Sequence, residues 1–155
     1  MTEIKHSIQI KAPVNKVFLY ASDYQKWPEW YEGVSEFKPI TETTYGNGTK
    51  YIYKAKLFGM KVTVGTEITQ FKENKGWIGK SFKGFGHKTE WIFKKSNTNT
   101  EFTHGLTYKV PWHMGGKFTD NQFVKPAWIK IVENSLQNIK SVMEEKDSSF
   151  RRKEK

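Results

Sequence analysis

The spacing of apolar residues changes along the chain, and each change marks a different kind of element. Isoleucines recur at alternate positions within residues 2–10, which predicts a first strand. Residues 14–21 instead place apolar side chains three and four positions apart, as on one face of a helix. The chain is therefore predicted to open with a strand and then a helix. The apolar helical positions are Val14, Val17, Phe18 and Ala21.

Two prolines mark this first helical region. Pro13 suits the first helical position, because its missing N–H has no acceptor there. Ser22 or Asp23 can cap a second short helix from about Tyr24. Pro28 is expected to interrupt that helix, since the residue before a proline avoids the helical conformation. The aromatic residues beside it are predicted to plug one end of a sheet: Trp27, Trp30 and Tyr31.

Residues 34–110 show the alternation and turn residues of consecutive short strands, without a long helical pattern. Strands are predicted at residues 34–40, 49–58, 60–71, 76–82, 88–94 and 100–110. The separators favour tight turns, so the strands should form an antiparallel meander. These separators are Tyr45-Gly46-Asn47-Gly48, Gly59, Glu73-Asn74-Lys75, Gly84-Phe85-Gly86 and Ser96-Asn97-Thr98-Asn99.

A long helical pattern closes the chain. Thr119 and Gln122 have the spacing of a capping box. Pro126 lies within the first turns, so the helix either kinks there or begins near it. Apolar residues then keep to one broad face up to about residue 145. They are Val124, Ala127, Trp128, Ile131, Val132, Leu136, Ile139, Val142 and Met143.

This order of elements predicts an α+β fold. A curved antiparallel sheet of seven strands should wrap around the long C-terminal helix, with two short helices after the first strand closing one end. A cavity is expected between the concave face of the sheet and the long helix. Residues 1–146 are predicted to form this single domain, and residues 147–155 a polar, frayed tail.

Motifs spread over nearly the whole chain resemble one family. The first is Ile8-x-Ile10-x-Ala12-Pro13-x-x-x-Val17-Phe18, followed by Asp23, Trp27-Pro28-x-Trp30 and Gly33-Val34. Later come Gly46-x-Gly48-Thr49, Gly59, Trp91-x-Phe93, Thr100-Glu101-Phe102 and Tyr108-x-Val110-Pro111, before the closing helix. In order and spacing, the chain resembles the START/Bet v1-like (SRPBCC) superfamily, in particular its polyketide cyclase/dehydrase and lipid transport branch.

The resemblance implies a helix-grip (Bet v1-like) fold that holds a hydrophobic small molecule, such as a lipid, sterol, quinone or polyketide. It says less about chemistry, because some members are cyclases or hydroxylase subunits whereas others only bind and carry. Binding or carriage is our first expectation, and a polyketide cyclase/dehydratase-type enzyme is the alternative. No cofactor is implied.

Composition narrows the range of partners. The net charge of +10 comes almost entirely from lysine, since Arg151 and Arg152 are the only arginines. Specific recognition of nucleic acid favours the planar arginine fork, so it is not predicted. The lysines either form a solvated surface or bind polyanions and membrane surfaces weakly and transiently. The chain has no cysteine, signal-peptide pattern or membrane-length apolar run, so we expect a cytoplasmic protein. We expect a monomer or a homodimer.

Candidate site residues follow from strand parity. Phe102, His104, Leu106 and Tyr108 alternate onto one face of the last strand, which should be the concave one. The His104 imidazole could hydrogen-bond a ligand or transfer a proton, or it could be a core histidine satisfied by a nearby hydroxyl. Other inward positions carry rings that either line a cavity or simply fill it. These are Tyr51, Tyr53, Trp91 and Phe93, with Trp128 and Val132 on the long helix.

No assembled catalytic arrangement is visible. The chain has four histidines, none with the spacing of a metal-binding pair, and no metal site is predicted. It also lacks a nucleophile elbow and a phosphate-binding loop. The catalytic residue of the enzymatic alternative is therefore unknown. His104 is the candidate, with Tyr108 or Tyr53 as a second proton-transfer group.

Overall fold

The computed structural model describes the backbone of residues 1–57, 60–110 and 112–154, and the side chains of residues 1–56, 61–110 and 112–146. Three predicted features lie outside the described residues. They are the strand end at Phe58, the turn at Gly59 and the last residue of the motif that ends at Pro111.

Seven antiparallel strands form one curved sheet in the order β1-β7-β6-β5-β4-β3-β2. The helix-grip α+β fold predicted from the sequence is confirmed, and each strand begins and ends within two residues of its predicted limits. The strands are β1 (Thr2–Ile10), β2 (Val34–Pro39), β3 (Lys50–Leu57), β4 (Met60–Lys72), β5 (Gly76–Lys83), β6 (His87–Ser96) and β7 (Asn99–Tyr108).

The first and last strands lie side by side. β1 pairs with β7 so that Ile4 stands opposite Leu106 and Ile8 opposite Phe102. β2 is the edge strand at the other side of the sheet, and its pairing with β3 is interrupted by a register shift between Ser35 and Lys38. The sheet is therefore regular where its termini meet and irregular at the β2 edge.

The helical region after β1 differs from the prediction at Pro28. α1 (Val14–Ser22) begins after Pro13, and Asp23 then caps a 3₁₀ turn (Tyr24–Lys26) by accepting the Gln25 N–H. Trp27 remains helical (φ −53°, ψ −40°), so the predicted interruption is wrong. Pro28 lies in the first turn of α2 (Trp27–Trp30), where its missing N–H leaves no acceptor unpaired. The bend falls at Asp23, which is extended.

The long helix is preceded by several short turns. A 3₁₀ turn (Trp112–Met114) leads into α3 (Gly116–Thr119), a π-helical turn (Asp120–Val124) and α4 (Lys125–Glu154). The predicted capping box is wrong, because Thr119 is itself helical and its side chain makes no capping bond. The chain becomes helical earlier, at Gly116. α4 begins next to Pro126, as the second alternative expected, and its backbone continues through most of the predicted tail.

α4 packs its apolar face on the sheet. Its buried residues include Trp128, Val132, Leu136, Ile139 and Met143. No helix in the described ranges combines the length and apolarity needed to cross a bilayer.

Candidate functional site

A cavity of about 30 Å³ lies on the concave face of the sheet, beside α2 and β2. That volume holds about one or two water molecules. It is far smaller than the several hundred Å³ of a typical small-molecule pocket. The aromatic side chains therefore fill most of the expected cavity, and a larger ligand has to displace some of them.

Strand alternation builds the walls of this cavity. Each of four neighbouring strands contributes two residues spaced by two, so all of them point to the same face. They are Tyr51 and Tyr53 on β3, Thr66 and Ile68 on β4, Trp77 and Gly79 on β5, and Thr89 and Trp91 on β6. The helical side adds Trp27 and Tyr31, and the edge strand adds Phe37.

Gly79 is part of the reason that any void remains. A Cβ atom at this position would lie 2.5 Å from Thr89 Oγ1 and 2.8 Å from Thr66 Cγ2. Both contacts are too short for real atoms, so any side chain would force a shift of the neighbouring strands or rotamers. The glycine leaves room between two threonines of the cavity wall.

A polar cluster occupies one end of the cavity. The Tyr53 and Thr66 hydroxyls lie 2.9 Å apart, and His87 Nε2 is 3.4 Å from the first and 3.5 Å from the second. His87 Nδ1 lies 3.0 Å from the Phe85 carbonyl oxygen, which can only accept. Nδ1 must therefore carry the proton, and the Nε2 lone pair faces the two hydroxyls.

Burial keeps this cluster uncharged. It lowers the pKa of His87, against a smaller opposing effect of the Phe85 carbonyl, so the imidazole is neutral near pH 7. Burial also raises the pKa of Tyr53, which keeps its hydroxyl protonated. One hydroxyl can donate to the other, which donates in turn to His87. This chain uses both hydroxyl protons but leaves lone pairs on the Tyr53 and Thr66 oxygens, so the cluster can accept a hydrogen bond from a ligand hydroxyl. It donates to a ligand carbonyl oxygen only when one of these protons turns away from its partner in the cluster.

His104 lies in the core behind this cavity. It is 1% exposed, and its ring contacts Tyr31 and Trp91, with centroid distances of 5.5 and 5.6 Å. Its Nδ1 has no hydrogen-bond partner among the described residues, so no neighbouring hydroxyl satisfies that atom. Burial, aided by the charge of His6, lowers the pKa of His104 to about 3. A base this weak is a poor proton acceptor near neutral pH.

The predicted ligand-binding residues separate into three groups. Tyr51, Tyr53 and Trp91 line the cavity. Tyr108 and Trp128 lie near the start of α4, with their ring centroids 6.4 Å apart. The other predicted residues are buried in the core and are not part of the cavity lining described above: Phe93, Phe102, His104, Leu106 and Val132. Their role in ligand binding stays a prediction.

Several lining residues were not predicted. Trp27 and Tyr31, expected only to plug the sheet, also line the cavity. Thr66 was also missed, as was His87, which lies behind the lining and contacts Tyr53 and Thr66. For His87 a signal existed: it lies four positions before Trp91 on the same strand, so it shares the inward face. The loop of residues 112–116, which follows the last strand, contributes nothing to the lining described.

A second polar cluster joins the start of the long helical region to the sheet. Asp120, in the π-helical turn, is buried and accepts hydrogen bonds from the hydroxyls of Tyr108, at 2.5 Å, and Thr2. Burial and the Asp120 carboxylate raise the pKa of Tyr108. Asp120 therefore ties the π-helical turn to the paired strands β1 and β7.

A curved sheet packed on a long helix, with an aromatic cavity on its concave face, is the arrangement of a fold that binds hydrophobic small molecules. The chain matches the family model described as polyketide cyclase / dehydrase and lipid transport over residues 1–144, and it belongs to that family. Among curated proteins, none matches this sequence.

Solved structures show the same fold at low sequence identity. The protein TTHA0849 from Thermus thermophilus superposes with a TM-score of 0.76 at 20% identity, over 90% of this chain and 95% of that one. The di-domain ARO/CYC StfQ from the steffimycin biosynthetic pathway gives a TM-score of 0.73 at 16% identity, over 94% of this chain and 52% of that one. The di-domain ARO/CYC BexL gives 0.70 at 14% identity, over 91% and 46%.

Proposed function

We propose that the protein binds or carries a neutral, largely aromatic small molecule in the cavity between the sheet and the helices. The observation that supports this most is the pairing of an aromatic wall with a single polar cluster at its end. Such pockets use apolar contact for affinity and a few polar groups for orientation. The Tyr53 and Thr66 hydroxyls would hold a carbonyl or hydroxyl oxygen of the ligand.

Ligand access requires part of the aromatic wall to move, because the void itself is about 30 Å³. Phe37 is the side chain best placed to move. It lies on the edge strand β2, within the register shift. Its ring contacts the partly buried rings of Tyr31 and Tyr53, with centroid distances of 6.3 and 5.1 Å, and the buried ring of Trp27 at 4.8 Å. We infer that the ligand enters between α2 and β2.

The test compares two probes of similar size, 2-naphthol and naphthalene, by isothermal titration calorimetry. Tyr53→Phe should weaken 2-naphthol about threefold to tenfold, because one hydrogen bond is lost, and should leave naphthalene unchanged. Tyr45→Phe removes the hydroxyl of an exposed tyrosine and serves as the matched control. Phe37→Ala should strengthen the binding of both probes, because it opens space beside the void.

Two results would contradict the proposal. The first is that neither probe binds the wild type or Phe37→Ala. The second is that Tyr53→Phe weakens both probes equally, which would place the ligand away from the polar cluster. Native mass spectrometry of the purified protein would also identify any ligand that co-purifies.

The enzymatic alternative is favoured by one observation, the lone pair of His87 Nε2 facing two hydroxyls. In this version the Tyr53 hydroxyl gives its proton to a substrate carbonyl oxygen, while the adjacent substrate carbon loses a proton that passes through the Thr66 hydroxyl to His87 Nε2, which leaves an enol. Transfer of a proton from Nε2 to the Tyr53 oxygen then restores the neutral cluster. Mass spectrometry distinguishes the two functions. A carrier returns its ligand unchanged, whereas a cyclase or dehydratase changes its structure, and His87→Gln should abolish that change while Tyr45→Phe keeps it.

A further inference from the structure

Residues 112–124, which we call the rim, carry four large apolar side chains that face solvent. Trp112 is 86% exposed, Met114 63%, Phe118 72% and Phe123 59%. Exposed apolar groups concentrated in so short a segment usually mark a contact surface. The rim is separate from the cavity, since the cavity lining described above contains none of its residues.

The rim differs from an ordinary surface helix, because its acidic residue is buried and its large apolar residues are exposed. Its acidic residue, Asp120, is 4% exposed and bonded to the sheet, while phenylalanines on either side of it point outward. The preceding turn is fixed by Gly115 (φ +103°), where a Cβ atom would lie 1.6 Å from Thr119 Oγ1. The fold therefore holds the apolar side chains outward.

Lysines surround these apolar groups. Lys109 and Lys117 line a groove of about 450 Å³ together with Trp112. Neither lysine has an acidic partner in the described part of the chain. Lys109 also lines an adjacent groove of about 470 Å³ with Lys80 and Lys88, which stand opposite each other on β5 and β6. Glu67 stands opposite Lys80 on the other neighbouring strand, β4, so an acidic residue faces one of these two lysines.

We propose that the rim docks on the surface of an anionic lipid bilayer. Tryptophan and phenylalanine side chains would enter the interfacial region, while Lys109 and Lys117 meet the lipid headgroups. A second copy of the chain fits less well, because it would bring like-charged lysines together on a protein of net charge +10. The proposal is independent of the proposed function, since it uses a different surface.

The first test is co-sedimentation of the full chain with vesicles at about 0.1 M NaCl. The vesicles contain phosphatidylcholine alone, or phosphatidylcholine with one-third phosphatidylserine. Binding is expected to the anionic vesicles. The double variant Lys109→Glu with Lys117→Glu should weaken binding to these vesicles at least about 25-fold, because each lysine lost weakens binding about fivefold. Lys94→Glu with Lys95→Glu is the matched control and should weaken it far less, because these lysines lie on β6 beside the start of β7, at the end of the strands away from the rim.

The second test is the fluorescence of Trp112. The other five tryptophans are each at most 9% exposed, so a blue shift on addition of anionic vesicles reports Trp112. Trp112→Phe should abolish the shift but keep sedimentation. Trp112→Ala should weaken binding about tenfold, because a large buried apolar group is lost. Leu19→Ala, at an exposed leucine on α1, should have no effect.

Three results would overturn the proposal. One is the absence of binding to anionic vesicles. Another is equal loss of binding in the two charge-reversal pairs, which would mean that only net charge matters. The third is a concentration-dependent dimer in sedimentation equilibrium that Trp112→Ala dissociates, which would assign the rim to a second copy of the chain.

Discussion

The buried histidine His104 should make the stability of the protein depend on pH in a specific way. Its pKa falls from an ordinary value of 6.5 to about 3 in the folded chain. Below pH 6.5 the unfolded chain binds a proton at this position and the folded chain does not. The free energy of unfolding must therefore decrease as the pH falls from 6.5 toward 3.

The size of this effect follows from the two pKa values. A shift of one unit corresponds to about 1.4 kcal/mol, so lowering the pH from 7 to 5 should remove about 2 kcal/mol through His104 alone. The pKa of His87 is also lowered, so that residue adds a loss of the same sign. Glu29 and Glu144 have lowered carboxyl pKa values, so they reduce the free energy of unfolding only at more acidic pH.

The assay is urea unfolding at pH 7, 6 and 5 for the wild type and His104→Leu. Leucine removes the titrating group and leaves no hydrogen bond unmade, since His104 Nδ1 has no partner in the described residues. The difference in unfolding free energy between the two proteins should change by about 2 kcal/mol across this range. His113→Gln, at an exposed histidine, should follow the wild type. Parallel curves for the wild type and His104→Leu would refute the reasoning.

Three further changes test the packing of the cavity wall and two buried hydrogen bonds. Gly79→Ala should lower the unfolding free energy by about 1 to 3 kcal/mol, because its Cβ has no room beside two threonines; a neutral effect in urea unfolding would show that the wall adapts freely. Asp120→Ala should lower the unfolding free energy by about 1 to 3 kcal/mol, because it leaves the Tyr108 hydroxyl without its acceptor. Asp120→Ala combined with Tyr108→Phe should cost less than the sum of the two single changes, and additive losses would mean that the two residues are not coupled. Thr100→Val removes the 2.8 Å bond to the Ala12 carbonyl and should cost about 1 to 2 kcal/mol, and an unchanged urea midpoint would contradict this role for the buried hydroxyl.

The order of strands could be predicted from sequence because its signals are local. Alternating apolar residues and turn-forming glycines and asparagines specify a strand without knowledge of its neighbours. The two errors in the helical regions have a different cause. Whether Pro28 interrupts a helix, or Thr119 caps one, depends on where the helical turn begins. The first turn begins at the Asp23 cap and runs through Pro28, and the second begins at Gly116, before Thr119, so neither residue taken alone gave the boundary.

The cavity could be predicted only in outline. Strand parity correctly gave Tyr51, Tyr53 and Trp91 as inward residues, and it would also have given His87 had the strand been extended by one residue. Parity cannot tell a lined cavity from a filled one, because that depends on how rings from α2 and the edge strand pack across the sheet. Here Trp27 and Tyr31 fill the space that the sequence left open.

The electrostatics of the cavity restrict what it can hold. Burial raises the pKa values of Tyr31, Tyr51 and Tyr53, and it lowers that of His87, so all four side chains stay neutral around physiological pH. A charged ligand placed among them would lose its hydration without gaining an opposite charge, which is strongly unfavourable. The interior therefore suits a neutral molecule with one or two oxygen atoms. Anionic groups would find partners only among the lysines outside, so the positive charge of the chain acts at its surface and not in the cavity.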